Sequence, residues 1–261
     1  MDSNKTTPLT ENGYVKELLE LMESNNITGR KDLLAVIGQV ANMEKHLSTM
    51  VNELAAMRKE LAEAQLANKP IKAVLQKAVN AMQTQIAELR DKLAELKQEI
   101  IDGCKNALSA CKDKGLSALR NVTEFFKIKP ALESLRNSLD KNINLDNRMI
   151  SKIEAMSTEF HEAGRHVHNI GRAFTGKETI QEAKPVGKIA KTIEAPIKAD
   201  LECQLAMRRC VNIAIKGLTR LENMERKPPI METVNKLNEQ IERSQRDTTT
   251  IERPKPTRAE R

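Results

Sequence analysis

Apolar residues recur along this chain at spacings that alternate four and three, and the alternation persists over several long stretches. One stripe, over about 31–68, runs through Val36, Val40, Met43, Leu47, Met50, Leu54, Met57 and Leu61. A second begins near Pro70 and runs through Leu75, Val79, Met82, Ile86, Leu89, Leu93, Leu96 and Ile100. Such a stripe covers one side of a helix and needs a partner stripe to leave water. A third helix starts at Pro130 and carries Leu132, Leu135, Leu139, Asn142, Asp146, Met149, Ile153, Met156, Phe160, Ala163, Val167, Ile170 and Phe174. The polar Asn142 and Asp146 either fix register or mark NINLDN as a turn between two helices; the phase survives them, so one continuous helix is the favoured expectation. A fourth region, about 188–226, shows Ile189, Ile193, Ile197, Leu201, Leu205, Val211, Ile215 and Leu218, with a kink expected at Pro196. The amphipathic YVKELLELMES at 14–24 comes first, and SNNITG at 24–29 reads as a break.

The first two stripes flank a proline, which leaves two arrangements: one kinked helix or an antiparallel hairpin. A proline inside a helix costs about 3 kcal/mol, whereas in a first turn it costs little. Carried past Pro70 in phase, the first stripe arrives at Gln85 and Lys92 and misses Ile86 and Leu93. Folded back at Lys69/Pro70, the stripes align layer by layer. Leu61 falls opposite Val79, Met57 opposite Met82, Leu54 opposite Ile86, Met50 opposite Leu89, Leu47 opposite Leu93, Met43 opposite Leu96 and Val40 opposite Ile100. A hairpin is therefore expected.

Composition supports the same class. Aromatics make up 2% of the chain and charged residues 30%, a balance suited to long helices. The expected fold is all-α: a long antiparallel coiled-coil hairpin leading into an elongated helical bundle, with a disordered C-terminal tail. The divisions drawn are 1–30, a short helix and linker; 31–110, the hairpin; 111–226, the bundle; and 227–261, a polar tail too poor in apolar residues to order. The net charge of +7 is compatible with anionic partners without requiring them. The start, MDSNKTTPLTEN, lacks the pattern of a signal peptide, and a cytoplasmic location is expected.

Candidate chemistry concentrates in FHEAGRHVHNIGRAFTGKET at 160–179. HEAGRH sets His161 and His166 five apart, about 500° around a helix, so they do not share a face as a zinc-protease pair must. GRAFTGKE places Glu178 where a phosphate-binding loop needs a hydroxyl, with no strand before it. His161, Arg165, His168 and Arg172, spaced four, three and four, form a stripe beside the apolar one. It could hold an anion or an acidic partner, although a solvated face is the ordinary fate of such residues. Cys104/Cys111 and Cys203/Cys210 lie seven apart, about 10.5 Å along a helix and too far for a disulfide or shared zinc. The segment 101–129, ending its apolar face in Phe125 and Phe126 among six lysines and arginines, fits a membrane surface less well than another helix. Base-stacking aromatics are nearly lacking, which argues against single-stranded nucleic acid but not against duplex binding through phosphates.

NGYVKELLELMESNN, KDLLAVIGQVANMEKHLSTMVNELAAMRKELAEAQ, LRDKLAELKQEIIDGCKNAL, KGLSALRNVTEFFKIKPALESLR and STEFHEAGRHVHNIGRA resemble an uncharacterised family of clostridial proteins, over roughly residues 12–176. The resemblance implies encoding on conjugative or other mobile elements and carries no activity. The expected function is a non-catalytic helical scaffold with protein partners or copies of itself, without cofactor, metal or small-molecule substrate. The alternative is an accessory nucleic-acid-binding protein contacting phosphates through basic helix faces.

Overall fold

The computed structural model describes residues 8–63, 69–175, 177, 178, 180, 188–226 and 238–241. Among them there is no strand; the long elements are α1 (Gly13–Ser24), α2 (Arg30–Glu63), α3 (Lys69–Lys114), α4 (Lys129–Phe174) and α5 (Lys188–Arg226). Short 3-10 segments, Leu9–Glu11 and Leu116–Phe125, precede α1 and follow α3.

The all-α class and the antiparallel hairpin are as expected. Every residue of the two facing stripes from Val36 to Met57 and from Leu75 to Ile100 is buried, and Leu61 is partly so. Outside the seam, Lys97 pairs with Glu44, and Arg58 donates to Gln83 at 2.6 Å. Partner numbers rise on α2 as they fall on α3, in the register deduced from the stripes. Pro70 stands in the first turn of α3, where no intrahelical N–H is lost. The connection 64–68 lies outside the described residues, as does the tail from 227 apart from a helical stretch at 238–241.

α4 and α5 run alongside this hairpin. Across α3 and α4, Lys92 donates to Ser134 and Ser138 to Glu88, each at 2.7 Å. Across α4 and α5, Arg208 meets Asp140 at 2.6 Å and Lys198 meets Glu154 at 3.6 Å. Across α5 and α2, a Cβ on Gly217 would stand 3.1 Å from Val36. Each helix thus runs antiparallel to the next, and α5 closes the ring against α2: an up-down-up-down four-helix bundle. Met1–Leu221 forms one compact unit, and the boundary drawn at residue 110 falls inside it, within α3. The second unit, Glu222–Arg261, holds the last turn of α5 and the helical residues 238–241.

Smaller elements seal the end of the bundle where α2 begins. Asn12 caps α1 by accepting from Tyr14 N at 3.0 Å. Val15, Leu18 and Met22 of α1 are buried, and α1 packs against α3. Beyond α3, Gly115 turns the chain with a φ of 74°, and the 3-10 segment returns to lay Phe126 on α3. A Cβ on Gly103 would come within 2.7 Å of the Phe126 ring and 2.8 Å of the Phe125 carbonyl. That glycine is therefore what lets the return segment lie so close.

Candidate functional site

Within the bundle the apolar core is interrupted. Asp146 on α4 and Asp200 on α5 are both 0% exposed, and Gln85, Asn142 and Gln204 are buried beside them. Gln85 Nε2 donates to one Asp146 oxygen at 3.0 Å. The single Nε2 of Gln204 donates both to the other Asp146 oxygen and to Asp200, each at 2.7 Å. Gln204 Nε2 thus bridges the two carboxyl groups.

Burial is the main effect on both acids, raising each above the usual carboxylate range. The amide donors and Asp200 itself oppose that rise at Asp146. At Asp200 the Asp146 charge adds to it, and with a smaller push from Glu53 on α2 the carboxyl reaches about 8. The layer is rich in acceptors: Gln85 Oε1, Gln204 Oε1 and one Asp200 oxygen are buried without a hydrogen-bond partner.

Asn142 and Asp146 were legible in advance as polar members of the α4 stripe. Asp200 and Gln204 were not, because the α5 stripe was drawn one residue away, through Leu201 and Leu205. Those leucines are only half-buried. The buried row runs through Ile197, Asp200, Gln204, Met207, Val211, Ala214, Leu218 and Leu221, with unbroken four-three spacing. Allowing polar members into the α5 pattern, as on α4, would have found it. Gln85 sits beside Ile86 because α3 is buried on a wide face, as the neighbouring pairs Ala78/Val79, Leu96/Lys97 and Ile100/Ile101 show.

The sequence-derived stripe lies elsewhere, on the last turns of α4. His161, Arg165 and Arg172 are half-buried and His168 is exposed. Arg172 Nε donates to the Glu178 carbonyl at 2.6 Å. Asn169 exchanges two 2.9 Å hydrogen bonds with the backbone of Ile180, so the chain doubles back along the helix. The stripe therefore holds part of its own connection. Beside it the apolar row is bare: Val167 is 71% exposed, Ile170 58% and Phe174 88%.

Other candidates resolve into packing. Gly171 lies inside α4, with no strand before it, so GRAFTGKE spans a helix end. All four cysteines are unpaired, and burial pushes the Cys104 thiol up to about 12. Phe126 is buried and Phe125 partly so, which turns the apolar face of 101–129 into the protein. Among the described residues no three His, Cys, Asp or Glu side chains gather as a metal-ligand set, and no helix is long and apolar enough to cross a membrane.

Fold and site together define an all-α bundle with a buried acidic layer in its core and an exposed apolar row at the end of α4. The chain belongs to a family of unknown function, DUF6674, whose model matches residues 11–258. No curated protein and no solved structure is similar to it.

Proposed function

We propose that this protein is a non-catalytic helical scaffold that joins to another helix through the open end of α4, in the first instance that of a second copy. The exposed row Val167, Ile170 and Phe174 carries the reading, because it continues the bundle's own heptad phase past the last turns that α2 and α3 cover. Its charge pattern favours a copy of itself. Two such ends laid antiparallel about Val167 set Ile170 across from the small Gly164, and Glu162 across from Arg172. Three apolar side chains per copy make a short seam, so the association is weak and concentration-dependent. The same end can then be handed to a heterologous helix. In the setting implied by the family resemblance, that helix would belong to a cytoplasmic protein of a mobile element.

Sedimentation over a concentration series tests this. A reversible dimer is expected, lost in Val167→Glu. In a chain freed of its native cysteines, Val167→Cys is expected to crosslink between copies on oxidation. A monomer at the highest attainable concentration, with no crosslink, would overturn the proposal. Steeply salt-dependent binding to duplex DNA, weakened by Arg172→Ala, would favour the nucleic-acid reading instead.

A further inference from the structure

We propose that the Asp146–Asp200 pair is a proton-binding site that ties the packing of α5 against α4 to pH. It stands apart from the scaffold reading and would hold for a monomer. A carboxylate has only acceptors and two enclosed side by side repel, so a proton held on one of them is what reconciles the pair. Here both are fully enclosed, and a single amide nitrogen holds them together at 2.7 Å on each side. The groups that shift the two acids include no cation that could stand in for that proton. From α2, the negative charge of Glu53 adds to the rise at Asp200. α3 presents the neutral Gln85, while α4 adds Asn142 and α5 adds Gln204. Cys203, beside Asp200 on α5, is itself held in its thiol form by burial and by the acids. None of the groups that shift either acid is a lysine or arginine.

The sign follows from burial. In the unfolded chain both acids ionise in the ordinary carboxylate range, while in the bundle both hold protons to higher pH. The folded state therefore binds more protons across that interval, and stability falls as pH rises through it. The contribution is complete below the unfolded pKa values and gone once pH passes the folded Asp200 value of about 8. Each proton involved changes the opening equilibrium by up to about tenfold per pH unit. His46 acts oppositely. Burial first, then Lys45 and Arg209, lower its pKa, so its contribution grows as pH rises toward neutrality. A variant is needed to separate the two.

Infrared spectroscopy reads the proton directly. The full-length protein at neutral pH is expected to show the carbonyl stretch of a buried carboxylic acid, fading as pH becomes alkaline and missing from Asp200→Asn. That variant keeps a donor toward Asp146 and cannot ionise. Its melting temperature is expected to stay level from neutral to mildly alkaline pH, where the wild type falls, and amide exchange across 197–207 should lose its excess pH dependence. Should Asp200→Asn not fold, Asp146→Asn and the wild-type infrared titration carry the same test. Lack of the band at neutral pH, or parallel melting profiles for variant and wild type, would overturn the proposal. So would loss of the band on adding calcium or magnesium at neutral pH, since the layer would then be a cation site.

Discussion

α4 departs from its own heptad pattern twice, in opposite senses. At Asn142 and Asp146 the stripe is polar, and the structure buries it completely. At Val167, Ile170 and Phe174 the stripe is apolar, and the structure leaves it in water. Both stretches keep the same phase on one continuous helix. What differs is the neighbourhood. Asp146 has Gln85 from α3 and Gln204 from α5 arranged to receive it, whereas the last turns of α4 hold their own returning connection through Asn169 and Arg172 and leave the apolar row exposed. Phase is thus a property of one helix, and burial a property of its partners.

Substitutions at the two places should have very different consequences for folding. Asp146→Ala removes the acceptor of two buried amide donors and leaves a void, at a cost of about 3 kcal/mol. Denaturant unfolding at neutral pH should show this as a lower midpoint with an unchanged slope. A loss below about 0.5 kcal/mol, the scale of ordinary surface changes, would mean that the layer relaxes and that the contrast with the open end is shallow.

Gly103→Val tests packing without altering polarity. The added methyl groups would strike the Phe126 ring and the Phe125 carbonyl, which stand 2.7 and 2.8 Å from a Cβ there. Overpacking of this kind costs about 1–3 kcal/mol. Thermal melts should show the loss in Gly103→Val and partial recovery when Phe126→Leu is added. Without recovery, the close approach of the return segment would not be its cause.

Val167→Glu should change monomer stability least, within about 0.5 kcal/mol, because the side chain already faces water. Unfolding measured at dilution, below any self-association, checks this. A large loss would show that the open end is covered in the free chain and would remove the contrast.

Much of the fold could be read from the sequence. The four-three spacing located all four bundle helices, and Pro70 with the phase slip at Gln85 made the hairpin antiparallel. Facing stripes of equal phase have one register that buries every layer, so local order sufficed there. The candidate sites were less legible. Asp200 and Gln204 were overlooked because leucines one position away offered a more apolar row. The stripe at His161, Arg165, His168 and Arg172 was identified correctly as a row. Its role in bracing the connection after α4 depends on where residues 177–180 return.

The sequence alone determined helix phase, the direction of the hairpin and the two polar members of the α4 stripe, since these follow from 3.6 residues per turn and proline chemistry. Only the tertiary structure decided which side of α5 faces inward. Rotating that helix by one residue exchanges Leu201 and Leu205 for Asp200 and Gln204, and the second choice wins because α4 presents Asp146 as the hydrogen-bonding partner of Gln204. A buried carboxyl tolerates only neighbours that satisfy it, and those neighbours lie some sixty positions away in the chain, on other helices. No window of local sequence contains that information.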